Sequence, residues 1–382
     1  MSIWIDGYGR KTGPVMGLML AALCALAVVL VAVVAARFRN AALTRITTAQ
    51  GVQEHAYITL GGIEQYVQIR GEDRRNPVIL WLHGGPGFPL TYMTGHYQTE
   101  LEHDYTIAVW EQRGCGRTLY RNPDASNPTI DQLLSDLDEL VDYLRKRFDR
   151  RTIILVGQSW GTVLATDYIH RHPRKIAAYI GVGQITDFLS GKILAAQQAE
   201  DRARAKGNSR DAAELGQGME RLRATKRLEQ LDVKMLERMI IISMKYLRNT
   251  VEMSGLRQMW TALTSPQMRW MDMKWFLFAS NTKNIIESQR NLVDYMYFRY
   301  RIEDLKCRYP MPVCFIQGDS DWITPTPMVR DYYAAVVAER KEMVVIQDAG
   351  HTPFLDHPQR FCAAVKEFLT DCQCRASQAA SR

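Results

Sequence analysis

The chain has 382 residues, 47% of them hydrophobic and 23% charged, so wholesale disorder, a collagen-like repeat and a disulfide-stapled miniature scaffold are all excluded. At roughly 150 residues per domain, this length predicts two domains or one large core with an insertion. A formal net charge of +7 is modest for the size, and its meaning depends on where the charges sit.

After an N-terminal tail (residues 1–14), residues 15–36 carry no charged or strongly polar side chain. As a helix rising 1.5 Å per residue, such a run crosses about 30 Å of hydrocarbon. A cleavable signal peptide has a shorter apolar stretch, roughly 7–15 residues, and a small-x-small cleavage site. The segment therefore reads as an uncleaved, single-pass anchor that brings a lipid bilayer in as a partner. Arg10 and Lys11 precede it, and Arg37, Arg39 and Arg45 follow, a three-to-two excess that leans toward a cytoplasmic body. The seven cysteines form an odd, scattered set that favours reduced thiols. Cys372-x-Cys374 lacks accompanying ligands, so no metal is expected.

Residues 37–54 read as a polar juxtamembrane linker. Strands follow at 56–60 and 63–69 around a Gly61-Gly62 turn. The apolar runs 78–82, 105–110 and 152–156 are short enough to be strands buried on both faces. Leu133, Leu137, Leu140, Val141 and Leu144 repeat at helical spacing. A helix at 162–172 ends at Pro173, and a strand follows at 178–182. This alternation predicts an α/β fold with a mostly parallel sheet covered on both sides. The rhythm stops between 187 and 306, a helix-rich block whose clearest amphipathic stretch is 228–249. It resumes with a strand at 313–316, a helix at 328–337, a strand at 343–346 and a helix at 359–369. The expected organisation is an α/β core in two parts, 55–186 and 307–371, with a helical cap at 187–306 and a C-terminal tail at 372–382.

Chemistry gathers at the ends of these strands. Gly157-Gln158-Ser159-Trp160-Gly161 sits between a strand and a helix, the setting in which a serine hydroxyl stands exposed on a sharp turn. The glycines supply clearance where Cβ atoms would clash. A serine nucleophile needs a base, and the base an orienting acid. Downstream, one strand ends in Gly318-Asp319-Ser320-Asp321 and the next in Asp348-Ala349-Gly350-His351. Loops after parallel strands gather on one sheet edge, so Ser159, one of these aspartates and His351 can converge. His83-Gly84-Gly85-Pro86-Gly87 is a glycine-rich loop able to aim amides at an oxyanion. Pro86 has no N–H, so Gly85 is the expected donor, with Gly84 second and Trp160 supplying the other amide.

These motifs, together with Glu111-Gln112-Arg113-Gly114-Cys115-Gly116-Arg117-Thr118, resemble the prolyl iminopeptidase-like branch of the α/β-hydrolases over residues 55 to 370. That family carries His-Gly-Gly-Pro-Gly, Asp-Gln-Arg-Gly-x-Gly-x-Ser and Gly-x-Ser-Trp-Gly. The resemblance implies an α/β-hydrolase fold with Ser159 as nucleophile, Asp321 as acid, His351 as base and no cofactor. His83, Gly84 and Glu111 are the expected contributors to substrate binding. Glu111 stands where the family has Asp, and Thr118 where it has Ser. The Trp-Glu pair that serves amine recognition in iminopeptidase caps is missing, since Trp260, Trp270 and Trp275 precede Thr261, Met271 and Phe276. Glu252 and Glu287 are the cap carboxylates available for that role, and the aromatic stretch 260–278 is a candidate pocket lining.

The expected reaction is acyl transfer to water, most simply at the N-terminus of a small peptide or amide. The alternatives are a membrane-anchored carboxylesterase or lipase-like enzyme with an apolar pocket, and a non-catalytic binding module tethered to the membrane. Epoxide hydrolases and dehalogenases use an aspartate nucleophile, which Ser159 argues against. Net charge divides as +4 in residues 1–50, +6 in 187–306 and −3 elsewhere. No nucleic-acid-binding module is present; a basic arm and a basic cap instead suggest a body resting cap-side on an anionic bilayer.

Overall fold

The computed structural model describes residues 12–247 and 252–380, with side chains for 15–247 and 252–372. Strands β1 (Val52–Leu60) and β2 (Ile63–Gly71) form the Gly61-Gly62 hairpin. They are followed by β3 (Val78–Leu82), β4 (Thr106–Trp110), β5 (Ile153–Gln158) and β6 (Ile176–Val182), then by β7 (Arg308–Tyr309), β8 (Val313–Gly318), β9 (Val337–Ala338) and β10 (Lys341–Ile346). Eight of them make one sheet in the order β1-β2-β4-β3-β5-β6-β8-β10, and β7 pairs separately with β9. The sheet is antiparallel at β1-β2-β4 and parallel from β4 to β10. Every residue of β3, β4, β5 and β8 is buried, as unbroken apolar runs require when helices cover both faces.

The helices, in chain order, begin with α1 (Thr12–Leu43), α2 (Thr94–Tyr97), α3 (Gly116–Arg121), α4 (Ile130–Arg147) and α5 (Trp160–Arg171). The cap comprises α6 (Phe188–Ala205), α7 (Ser209–Ala224), α8 (Val233–Leu247), α9 (Gly255–Thr264), α10 (Trp270–Ala279), α11 (Thr282–Ser288) and α12 (Arg290–Asp294). Helices α13 (Thr326–Ala335), α14 (Pro353–Asp356) and α15 (Pro358–Ala380) close the chain. Helix α4 starts at a capping box in which Thr129 and Gln132 take up each other's backbone amides. All five of its leucine and valine positions singled out by spacing are buried.

Several boundaries shift. The stretch from residue 37, expected as linker, continues α1 to Leu43, and β1 begins at Val52 rather than residue 56. The amphipathic stretch from 228 splits into a short 3₁₀ turn (Leu228–Gln230) and α8; residues 248 and 249 lie outside the described residues. The expected C-terminal tail is helical, continuing α15 to Ala380.

The extension of α1 has a physical cause, because its last turns are clasped by the body. Arg37 donates to the carbonyls of Leu263 (3.1 Å) and Met268 (2.9 Å), and Asn40 donates to that of Thr264 (3.0 Å). From the core, Arg70 Nη2 donates to the Thr44 carbonyl (2.5 Å). Arg70 is itself fully buried and paired with both oxygens of Glu102 at 2.7 and 2.9 Å. Removing one partner of a buried ion pair strands the other charge. We expect Glu102→Ala to destabilise the protein by about 3–5 kcal/mol, read as a lower midpoint in urea denaturation.

Candidate active site

Strand β5 runs straight into Ser159, whose backbone takes φ 52° and ψ −119°. L-residues avoid this region, at a cost of about 1–3 kcal/mol unless the surroundings hold them there. The neighbours supply that constraint. A Cβ on Gly157 would lie 2.6 Å from the Gly161 carbonyl oxygen, and one on Gly161 only 2.2 Å from that of Leu82. Only glycine at both positions lets the turn close. The Ser159 N–H donates to the carbonyl of Val182 at the end of β6 (2.8 Å). The next residue, Gly183, has φ 59°, and a Cβ there would fall 2.9 Å from His351 Cε1. The elbow and the His351 ring thus share one support, the carboxyl end of β6. Among the described residues the Ser159 hydroxyl makes no hydrogen bond.

His351 Nδ1 donates to Asp321 Oδ2 at 2.9 Å. Asp321 also accepts from the amides of Ile323 (2.9 Å) and Thr324 (3.0 Å) and from the Thr324 hydroxyl (2.7 Å). Burial raises the Asp321 pKa, but His351 and these hydrogen bonds outweigh it and hold the carboxyl below the usual carboxylate range. An acceptor-only carboxylate fixes the imidazole with its proton on Nδ1, leaving Nε2 as the free base.

The loop after β3 is braced from beneath. Buried His83 donates through Nδ1 to the Gly84 carbonyl (2.8 Å) and accepts the Gln112 amide on Nε2 (3.2 Å). The Gln112 side chain donates to the His83 carbonyl (3.2 Å) and accepts from the Trp160 indole (3.0 Å). One glutamine side chain therefore ties together all three motifs read from the sequence. Gly85 has φ 124° and a cis bond to Pro86. Gly84 and Gly85 donate no internal hydrogen bond among the described residues. Trp160 opens α5, where the first amides have no partner within the helix.

The substrate-contact expectations fare differently. Both nitrogens of His83 are occupied, so it shapes the loop rather than facing a ligand. Glu111 is fully buried, accepting from the Thr91 hydroxyl and, at 2.6 Å, from the Arg117 amide. Burial pushes its carboxyl up to about 7, with the Arg117 charge opposing. Glu287 lies on the surface, 3.7 Å from Lys283. Glu252 instead lines a cavity of 190 Å³ beside His351, otherwise walled largely by α6, α8, Trp322 and Ile323. The stretch 260–278 contributes nothing to this cavity; Trp275 is buried and donates to the Gly87 carbonyl (2.8 Å), bracing the glycine loop from the cap. Lys192 also lines the cavity, its ammonium pushed down to about 8 by burial while Asp321 pulls the other way. Spacing gave no signal for Lys192, and it offered Trp275 only as part of an aromatic stretch, because its bond to Gly87 is made across 188 positions.

Burial lowers His83 from 6.5 to about 4, the bond to Gly84 opposing. Between those values the unfolded chain holds a proton that the folded protein refuses, so stability falls as pH drops through this window. The loss from this one group is on the order of 3 kcal/mol. Denaturant midpoints measured between about pH 7 and 4 should fall steeply, and His83→Gln should remove that share of the slope.

The geometry has parallels in other proteins. The profile of the Alpha/beta hydrolase family matches residues 79–364, more than half of the chain. The Probable aminopeptidase YbaC of Bacillus subtilis (strain 168) is 25% identical over 304 residues, 80% of this chain and 92% of that protein. The proline iminopeptidase of Lactobacillus helveticus (strain DPC 4571) is 31% identical over 120 residues, 31% of this chain but only 40% of that protein. Among solved structures, a membrane phospholipase A titled a novel bacterial virulence factor superposes with TM-score 0.58 at 15% identity, covering 94% of this chain and 98% of that one. A proline iminopeptidase-related protein from Thermus thermophilus follows at 0.52 and 19%, covering 84% and 98%. At such identities the two structures speak for the fold alone. With a mostly parallel sheet, a capped strand edge and a family match over most of the core, the chain belongs to the α/β-hydrolase family and is a hydrolase.

Proposed function

We propose that the protein is a serine hydrolase that transfers an acyl group to water through Ser159, His351 and Asp321. The observation that carries this reading is the forced backbone of Ser159, held beside the β6 end against which the Asp321-oriented His351 also packs. In this reading His351 Nε2 takes the Ser159 proton as the oxygen attacks a carbonyl carbon. The amides of Gly85 and Trp160 hold the oxyanion. Collapse of the tetrahedral adduct expels the leaving group, which takes its proton from His351, and water repeats the sequence to free the acid. Asp321 fixes the ring tautomer and stabilises the imidazolium.

The narrower reading is release of an N-terminal residue from a peptide or amide. It is supported by the aminopeptidase name of the Bacillus relative and by Glu252, whose carboxyl packs against Gly350, next to His351. Glu252 would receive the substrate's ammonium group. The apolar walls of the cavity favour a second reading, hydrolysis of an amphiphilic ester with the same three residues. Helix α1 is proposed to be a retained anchor, since its turn at Arg37 and Asn40 is hydrogen-bonded into the body rather than free for removal.

A fluorophosphonate probe should label the wild type at Ser159 and leave Ser159→Ala unlabelled; labelling elsewhere would move the nucleophile. Asp321→Asn should lower kcat by on the order of 10⁴-fold. Aminoacyl arylamides and aryl esters, assayed side by side, separate the two substrate readings. If the amine is recognised, Glu252→Gln should raise KM about tenfold for free-amine substrates and leave N-blocked ones unchanged.

A further inference from the structure

The cap carries an apolar surface that the catalytic reading does not use. On α9, Leu256, Met259 and Trp260 recur at the spacing of one helical face, yet all are exposed, Leu256 at 77% and Trp260 at 46%. On α10 the same holds for Trp270 (71%), Leu277 (63%) and Phe278 (37%). These are not poorly placed core residues. The opposite side of α10 is fixed by Asp272, bound to Arg117, and by Trp275, bound to Gly87. Large apolar side chains left exposed on two successive helices commonly mark an interaction site.

The position of the surface indicates which partner. The last residues of α9 and the loop leading to α10 offer the carbonyls of Leu263, Thr264 and Met268 to Arg37 and Asn40. Those two residues lie immediately past the apolar run that ends at residue 36. If α1 spans a bilayer, as proposed above, this loop is held at the hydrocarbon boundary. Trp260 lies one helical turn before Thr264, about 6 Å along the axis, and Trp270 two residues after Met268. Tryptophan favours that depth because its ring is apolar and its N–H needs water. Arg257, Arg269 and Lys274, all exposed, interleave with the apolar residues and suit lipid phosphates.

We propose that the exposed faces of α9 and α10 insert into the interfacial layer of the bilayer that α1 spans, so that the cap is seated in lipid. The α1 clasp delivers the surface to the membrane, and the apolar side chains hold it there. This goes beyond attraction of a basic cap to anionic lipid, because insertion persists in zwitterionic bilayers.

The test uses the full-length chain in a Trp4→Phe background, reconstituted into phosphatidylcholine liposomes with and without lipid brominated on the acyl chain near the headgroup. Bromolipid should quench tryptophan fluorescence, and Trp260→Phe/Trp270→Phe should reduce the quenched fraction at least twofold. A second variant, Leu277→Glu/Phe278→Glu, alters exposed positions and should lower the quenching while the protein still floats with the liposomes. Flotation with quenching equal in all variants overturns the insertion while leaving the anchor in place. Failure to float removes the anchor and the proposal with it. Quenching that is absent in liposomes, accompanied by a concentration-dependent dimer, would assign the surface to a second copy of the chain. Labelling of Ser159 by the fluorophosphonate probe, followed in parallel, reports separately on the hydrolase reading.

Discussion

Arg117 is the residue on which the relation of cap to core depends. It lies in the first turn of α3, stacks 4.4 Å over the Tyr66 ring, and binds Asp272 of α10 through Nε (2.8 Å) and Nη2 (2.5 Å). Burial works against its charge, and the bond to Asp272 and the nearby Glu111 more than offset this, so its pKa is raised. A buried guanidinium tolerates little displacement, because losing a partner leaves an uncompensated charge. The position of α10 is therefore set by the core. From that position Trp275 reaches the Gly87 carbonyl, and the cap thereby braces the glycine loop after β3.

The same logic of constraint explains the elbow. Ser159 adopts a costly backbone because Gly157 and Gly161 permit close approach and because β5, β6 and α5 leave no other path. Gln112 then couples the elbow to the glycine loop through Trp160 and His83. Chemistry that needs several groups placed within tenths of an ångström is better served by side chains whose hydrogen bonds are already committed. His83 and Glu111 have that character, their polar atoms taken up within the protein. Lys192 and Glu252 both contribute to the wall of the cavity beside His351.

The clasp on α1 gives the long apolar helix a defined relation to the enzyme body. Arg70 reaches its end from β2, and the last turn of α9 with the loop after it receives it from the cap. The position of the apolar helix, that of the cap and that of the glycine loop are thereby joined through one short set of segments, α9 and the residues after it receiving α1 and α10 holding Arg117 and the Gly87 carbonyl.

Much of this was legible in the sequence, for a local reason. The strand-to-helix elbow at Ser159, the glycine loop and the Asp321 and His351 strand ends are each encoded within a few adjacent residues. The alternation of buried strands with periodic helices then places them on one sheet edge. The apolar run of residues 15–36 and the inserted helical block were equally visible, since length and periodicity reveal both. Tertiary structure alone decided the rest. Arg117 meets Asp272 across 155 positions, Trp275 meets Gly87 across 188, and Arg37 meets Leu263 across 226. It also separated Glu252, in the cavity wall, from Glu287 on the surface, and turned Trp260 and Trp270 outward while Trp275 points into the body. A sequence shows which side chains an element offers on each face; which face finds a partner depends on segments far away in the chain, and only packing settles that.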